Sequence, residues 1–165
     1  MRVVYSLGSN LGDRQAALRG AIAALAAGDL RLVAVSPVYE TEPWGVVGHP
    51  DYLNVVAVFD APDDADPHDL LRRGLALEDA AGRVRHGTVA PRPLDVDLIA
   101  AGDRVVVSDD LVLPHPRAHL RGFVLVPWAE ADPSAELPGY GPVSRLAEQV
   151  GRAGLTARPD LSAVS

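Results

Sequence analysis

The chain contains no cysteine and no lysine. Without thiols there can be no disulfide framework, no thiolate metal centre and no thiol nucleophile. Without lysine there is neither a Walker-type phosphate loop nor Schiff-base chemistry. All 15 basic residues are therefore arginine. No apolar run approaches the roughly 18 residues of a membrane span, so no membrane partner is expected. The net charge of −7 argues against general nucleic-acid binding. Met1-Arg2 runs straight into a strand-like segment with no signal-peptide pattern, and a cytoplasmic location is the expectation. At 165 residues the chain is expected to form one domain, 1–165, acting as a monomer on small molecules. A chain of this size buries about 70% of its unfolded surface and needs no staple.

Within that frame the most informative stretch is Arg92-Pro93-Leu94-Asp95-Val96-Asp97-Leu98-Ile99. Residues i and i+2 of a strand share a face, so Asp95 and Asp97 project side by side while Leu94, Val96 and Leu98 face the other way. Two adjacent carboxylates repel, and a divalent cation removes the repulsion. Mg²⁺ suits them, because it takes one or two carboxylates and completes its shell with water and substrate phosphates. An isolated Asp-x-Asp is more often a solvated strand end, and it is the neighbouring residues that favour a metal site. Arg92 stands just upstream, fit to contact a phosphate.

Along the chain, residues 2–7 read as a strand ending in the turn cluster Gly8-Ser9-Asn10. Asp13 suits the N-cap of a helix over 14–27, and Gly28 its C-terminus. Residues 30–39 read as one strand and 52–59 as another. The run 60–69, with Asp60, Asp63, Asp64, Asp66 and Asp69, reads as a solvated linker rather than a metal site. Pro67 then starts a helix reaching 81. Residues 82–91 form a basic loop. Residues 94–101 and 104–107 read as a hairpin around Gly102-Asp103. The segment 123–131 could be helix or strand, 143–150 a short helix, and 151–165 a loose tail. The order β-α-β-β-α-β is that of the split βαβ, ferredoxin-like α+β fold. It implies an antiparallel sheet with helices on one face and the other face open to ligands.

Two further groups of residues carry chemistry. Arg83, Arg85, His86 and Arg92, then His115, Arg117, His119 and Arg121, cluster in an otherwise acidic chain. Singly these are ordinary surface residues. Together, beside a cation site, they fit a polyphosphate held without a P-loop. Thr41, Pro43, Trp44, Tyr52, Asn54 and Phe123 form the other group. Asn54 offers a donor and an acceptor that can read the edge of a heterocycle. Tyr52 shares its strand face, and aromatic faces stack on flat rings. Core packing is the plain alternative for Tyr52 and Phe123. Glu78 could ligate metal or, more ordinarily, pair with an arginine.

Seven stretches, in order, resemble the 6-hydroxymethyl-7,8-dihydropterin pyrophosphokinases of folate biosynthesis. They are Leu7-Gly8-Ser9-Asn10-Leu11-Gly12-Asp13, Ser36-Pro37-Val38-Tyr39-Glu40-Thr41-Glu42-Pro43, Pro50-Asp51-Tyr52-Leu53-Asn54, Gly82-Arg83-Val84-Arg85, Pro91 through the aspartate strand to Ile99, Leu113-Pro114-His115-Pro116-Arg117, and Arg121-Gly122-Phe123. The resemblance implies the same ferredoxin-like fold. It implies transfer of pyrophosphate from ATP to the pterin's hydroxymethyl group, with two Mg²⁺ ions held by Asp95 and Asp97. By the same resemblance Arg83, Arg92, His115 and Arg121 are phosphate ligands, with Arg85 beside them and Glu78 on the nucleotide side. Arg92, Arg83 and Asp97 are the expected catalytic groups. Tyr52 and Phe123 would sandwich the pterin, and Asn54 with Thr41, Pro43 and Trp44 would read its edge. One stretch departs from the family: Thr88-Val89-Ala90 replaces the usual loop arginine or tryptophan before Pro91-Arg92. Two rival readings follow, a non-catalytic nucleotide- or pterin-binding homologue and, less consistent with the acidic surface, a two-metal nuclease.

Overall fold

In the computed structural model, residues 1–42, 51–82 and 93–164 are described. Strand β1 (Arg2–Ser9) leads into helix α1 (Arg14–Ala26), then β2 (Arg31–Val35), β3 (Tyr39–Thr41), β4 (Tyr52–Asp60), α2 (Pro67–Ala80) and β5 (Asp95–Ala101). Short strands β6 (Val106–Val107) and β7 (Val112–Leu113) follow, then α3 (Gly122–Ala131), β8 (Glu136–Leu137), β9 (Gly141–Pro142), α4 (Val143–Val150) and β10 (Leu155–Ala157). The main sheet is antiparallel in the order β10-β3-β4-β1-β5, with β2 also paired to β4. This is the expected α+β arrangement. Among the described residues no helix is long and apolar enough to cross a membrane.

The caps explain the helix starts. The Asp13 carboxylate accepts the Ala16 N–H at 3.0 Å, and Asp66 accepts that of His68 at 3.0 Å with Pro67 opening the first turn. α1 ends at Ala26 with Ala27 in the right-handed region, so Gly28 is not a left-handed cap.

The expected single strand over 30–39 is two strands, lying end to end along one edge of β4. Pro37 has no N–H to give a ladder. Ser36 covers the gap, donating its N–H to Val56 O at 2.9 Å while its Oγ accepts the Val56 N–H at 2.9 Å. The expected hairpin of 94–101 with 104–107 does not form; β6 pairs with β7 instead. Arg104 is drawn away from β5, its guanidinium bonding Asp63 O and Ala65 O. The segment expected as a loose tail is tied down. β10 pairs with β3, the Arg158 N–H reaches Val38 O at 2.9 Å, and Ala163 is buried. Covering the outer edge of β3 gives its backbone groups partners.

Alternation along the strands divides the core. Val3, Tyr5 and Leu7 of β1, Leu53, Val55 and Phe59 of β4, and Val96 and Leu98 of β5 pack under α1 and α2. Val4, Val56, Val58, Ile99 and Ala100 pack on the opposite face with Val124, Leu125 and Trp128 of α3 and Val143 and Leu146 of α4. The first two helices thus lie on one face as the split βαβ order implies. The C-terminal pair covers part of the other, so among the described residues that face is left uncovered at its far end. Helix α3 contains Pro127, which blurred its sequence signal.

Candidate active site

The far end of that second face gathers some of the expected residues, while Glu78, on α2, lies against the opposite face. Register pairs Asp97 with Ser6 and Asp95 with Gly8 across β5 and β1. Gly8 pairs in turn with Asn54 on β4, and Asn54 with Tyr39 on β3. Paired residues share a face, so Asp95, Asp97, Gly8, Asn54 and, two residues along each strand, Tyr52 and Thr41 lie on one surface. With strands about 4.8 Å apart, Asp95 and Asn54 stand roughly 10 Å apart with only Gly8 between them. A Cβ on Gly8 would fall 3.0 Å from Asn54 Oδ1 and 3.3 Å from Tyr52 Cδ1. Gly8 therefore lets the Asn54 amide and the Tyr52 ring lean over β1. Sequence reading places Gly8 in a turn after a strand over 2–7, but β1 runs on to Ser9 and Gly8 lies within it, where a glycine signals close approach.

Asn54 is only 5% exposed and donates Nδ2–H to Thr41 Oγ1 at 2.6 Å. That bond fixes the amide's direction, leaving the carbonyl toward Gly8. Thr41 is itself held by its strand neighbour Glu40, whose carboxylate takes Arg14 at 2.7 Å and Arg158 at 3.2 Å. Arg14 also donates to Asp51 O at 2.9 Å, just before Tyr52.

On the other side, Arg121 brings its guanidinium to 3.9 Å from Asp97 and lies over the Phe123 ring, 5.5 Å from its centroid. Both residues enter the face from the start of α3. His115 follows β7 and is anchored by its N–H to Ile99 O at 2.8 Å. Burial, aided by the Arg121 and Arg117 charges, pushes its pKa down to about 4. Its Nδ1 accepts the Arg117 N–H at 3.2 Å, so the neutral ring carries its proton on Nε2 and can donate there. Glu78, expected on the nucleotide side, is 1% exposed and accepts the Val96 N–H at 2.9 Å. Pro43, Trp44, Arg83, Arg85 and Arg92, with the variant Thr88-Val89-Ala90 stretch, lie outside the described residues.

Asp95 and Asp97 fit a divalent cation. Both are half-buried and share one face, and among the described residues no third carboxylate or histidine joins them in a cluster. A pair of carboxylates suits Mg²⁺, which takes one or two and completes its shell with water and substrate phosphates.

Comparison with known proteins identifies the family. A family model described as 7,8-dihydro-6-hydroxymethylpterin-pyrophosphokinase matches residues 4–133. A 2-amino-4-hydroxy-6-hydroxymethyldihydropteridine pyrophosphokinase of Mycobacterium bovis is 49% identical over 157 residues, covering 88% of this chain and 81% of that protein. One of the same description from Methylorubrum extorquens is 42% identical, covering 84% and 87%. Among solved structures, wild-type Plasmodium falciparum HPPK-DHPS with SDX-DHP superposes with a TM-score of 0.69 at 12% identity, covering 94% of this chain. This chain spans 47% of that longer one, and the likeness shows the fold alone. Matched over most of its length by the family model and by relatives well above 30% identity, the chain belongs to the 7,8-dihydro-6-hydroxymethylpterin-pyrophosphokinase family.

Proposed function

We propose that the chain transfers pyrophosphate from ATP to the hydroxymethyl group of 6-hydroxymethyl-7,8-dihydropterin, a step of folate biosynthesis. The observation that carries this reading is the register Asp95–Gly8–Asn54. It sets two neighbouring carboxylates and an oriented amide on one face, with a separation that would seat two substrates end to end. The Asn54 carbonyl, oriented by Thr41, would accept from the pterin's ring edge, with Tyr52 and Phe123 against its faces. Thr41 also borders this pocket, and Pro43 and Trp44 complete it by family resemblance.

Asp95 and Asp97 would hold two Mg²⁺ ions, which when bound neutralise charge on the ATP phosphates. Arg121 and the Nε2–H of neutral His115 would donate to phosphate oxygens, joined by Arg83, Arg85 and Arg92 on sequence grounds. In the reaction the hydroxymethyl oxygen bonds the β-phosphorus and the bond from that phosphorus to the α,β-bridging oxygen breaks. AMP leaves, and the hydroxyl proton passes to the Asp97 carboxylate or to solvent. The arginines act on charge growing at the bridging oxygen, and positioning supplies much of the rest.

The test is product identity. Purified protein with ATP, Mg²⁺ and the dihydropterin is expected to form AMP and pterin diphosphate in equal amounts. Binding of both ligands without AMP would mean that the non-catalytic homologue is the right reading.

A further inference from the structure

Glu78 closes the last turn of α2 with its carboxylate almost wholly withdrawn from water. Burying a carboxylate is costly, so its partners matter, and the Val96 N–H is one of them. Its Oε2 accepts the N–H of Val96 at 2.9 Å. One helical turn earlier, Gly74 lies on the same face of α2. A Cβ there would fall 3.1 Å from Val96 Cγ1 and 3.3 Å from Val96 O. Helix α2 therefore meets Val96 at its side chain, its carbonyl and its N–H. Val96 is the one residue between Asp95 and Asp97, and β5 is the end strand of the main sheet, paired with β1 on one side. Helix α2 supplies the hold on the other side. The backbone angles of a single intervening residue set how the two flanking carboxylates diverge.

We propose that Glu78 is a positioning residue: by holding the Val96 N–H, it keeps the Asp95 and Asp97 carboxylates aimed at a common ligand, and it is not itself a nucleotide contact. This rests on reading the aspartates as the metal-holding pair. Groups that orient metal ligands in this way typically affect metal affinity about 10–100-fold.

Glu78→Leu removes the acceptor and keeps an apolar side chain; Glu78→Gln removes the charge and keeps an acceptor. Three quantities are read: hydrogen exchange at the Val96 amide, the Mg²⁺ concentration for half-maximal ATP binding, and pterin affinity. Glu78→Leu is expected to speed Val96 exchange and raise the Mg²⁺ requirement about tenfold or more, with pterin affinity unchanged. Glu78→Gln should stay close to wild type in all three. If Glu78→Leu unfolds, Gly74→Ala, which presses on Val96, should shift the first two quantities in the same direction. Asp97→Ala serves as the reference. If it raises the Mg²⁺ requirement and the folded Glu78 or Gly74 variant does not, the positioning role is wrong. If Asp97→Ala does not raise it either, the metal reading beneath the proposal fails. Glu78→Gln losing ATP binding with the Val96 amide undisturbed would make Glu78 a nucleotide contact and overturn the proposal.

Discussion

At β5 the proposed ligand-binding face rides on the sheet's end strand, held from below by a helix through a carboxylate that hardly meets water. At β3 the same face rides on three residues set between β4 and β10, held by guanidinium–carboxylate pairs that reach solvent. The first hold is short and dry, and salt is expected to affect it little. The second spreads over Glu40, Arg14, Arg158 and Asp160 and is open to screening. A buried hydrogen bond gives a fixed direction, which suits carboxylates that must converge on an ion. A surface network tolerates small shifts, which suits a pocket closing on a flat ring.

The largest effect that separates the two halves is expected from Asp97→Ala. It should abolish Mg²⁺-dependent AMP formation while pterin binding and the melting temperature hold, because Asp97 is 41% exposed and leaves no buried void. Steady-state turnover with parallel calorimetry of each ligand checks this. Next comes Gly8→Val, which places branched bulk where Asn54 Oδ1 and Tyr52 Cδ1 would already lie 3.0 and 3.3 Å from a Cβ. It should weaken pterin binding about tenfold or more, since overpacking costs about 1–3 kcal/mol, and leave ATP affinity within about twofold. Equal losses for both ligands would mean that Gly8 serves the sheet as a whole.

Much of this face was legible in the sequence, for identifiable reasons. Asp95 and Asp97 announced themselves because a strand's two-residue period makes their shared face certain once the strand is granted. The Asp13 cap and the helix start at Pro67 were readable, since both signals are local, whereas Asp66 reads as part of a solvated linker. The division of 30–39 at Pro37 was also signalled locally, but the apolar run outweighed it. What stayed hidden depends on partners distant in sequence. β10 is three residues long and becomes a strand only because β3 offers an edge. Glu78 reads as a metal ligand or an arginine's partner because nothing near it in sequence shows that its carboxylate will take the Val96 N–H, 18 residues away. Gly8 was visible as a residue but not as a gap, because its role lies in what leans over it.

Acidification gives a smaller effect on the phosphate side. His115 is neutral in the fold, with its pKa lowered to about 4 from an ordinary 6.5. Between these values the unfolded chain binds a proton that the folded chain does not, so stability should fall as pH drops from about 6.5 toward 4 and level off below. His115→Gln should flatten that part of the stability–pH curve; an unchanged slope would assign it to other groups. The smallest effect is expected at the β3 end. Glu40→Gln should raise the pterin KM slightly at low ionic strength, and the difference from wild type should vanish near 1 M salt, where the Debye length is about 3 Å. Persistence of the difference at high salt would show that the pair acts through burial.

The central claim is that one sheet face holds two separable subsites, divided at Gly8. Its most direct test is calorimetric binding of Mg²⁺-ATP and of the dihydropterin, each measured alone, to wild type, Asp97→Ala and Asn54→Ala. Asp97→Ala is expected to lose Mg²⁺-ATP and keep the pterin; Asn54→Ala, deprived of its oriented amide, should lose the pterin and keep Mg²⁺-ATP. If either substitution weakens both ligands by the same factor, the face is a single undivided site and the account is contradicted.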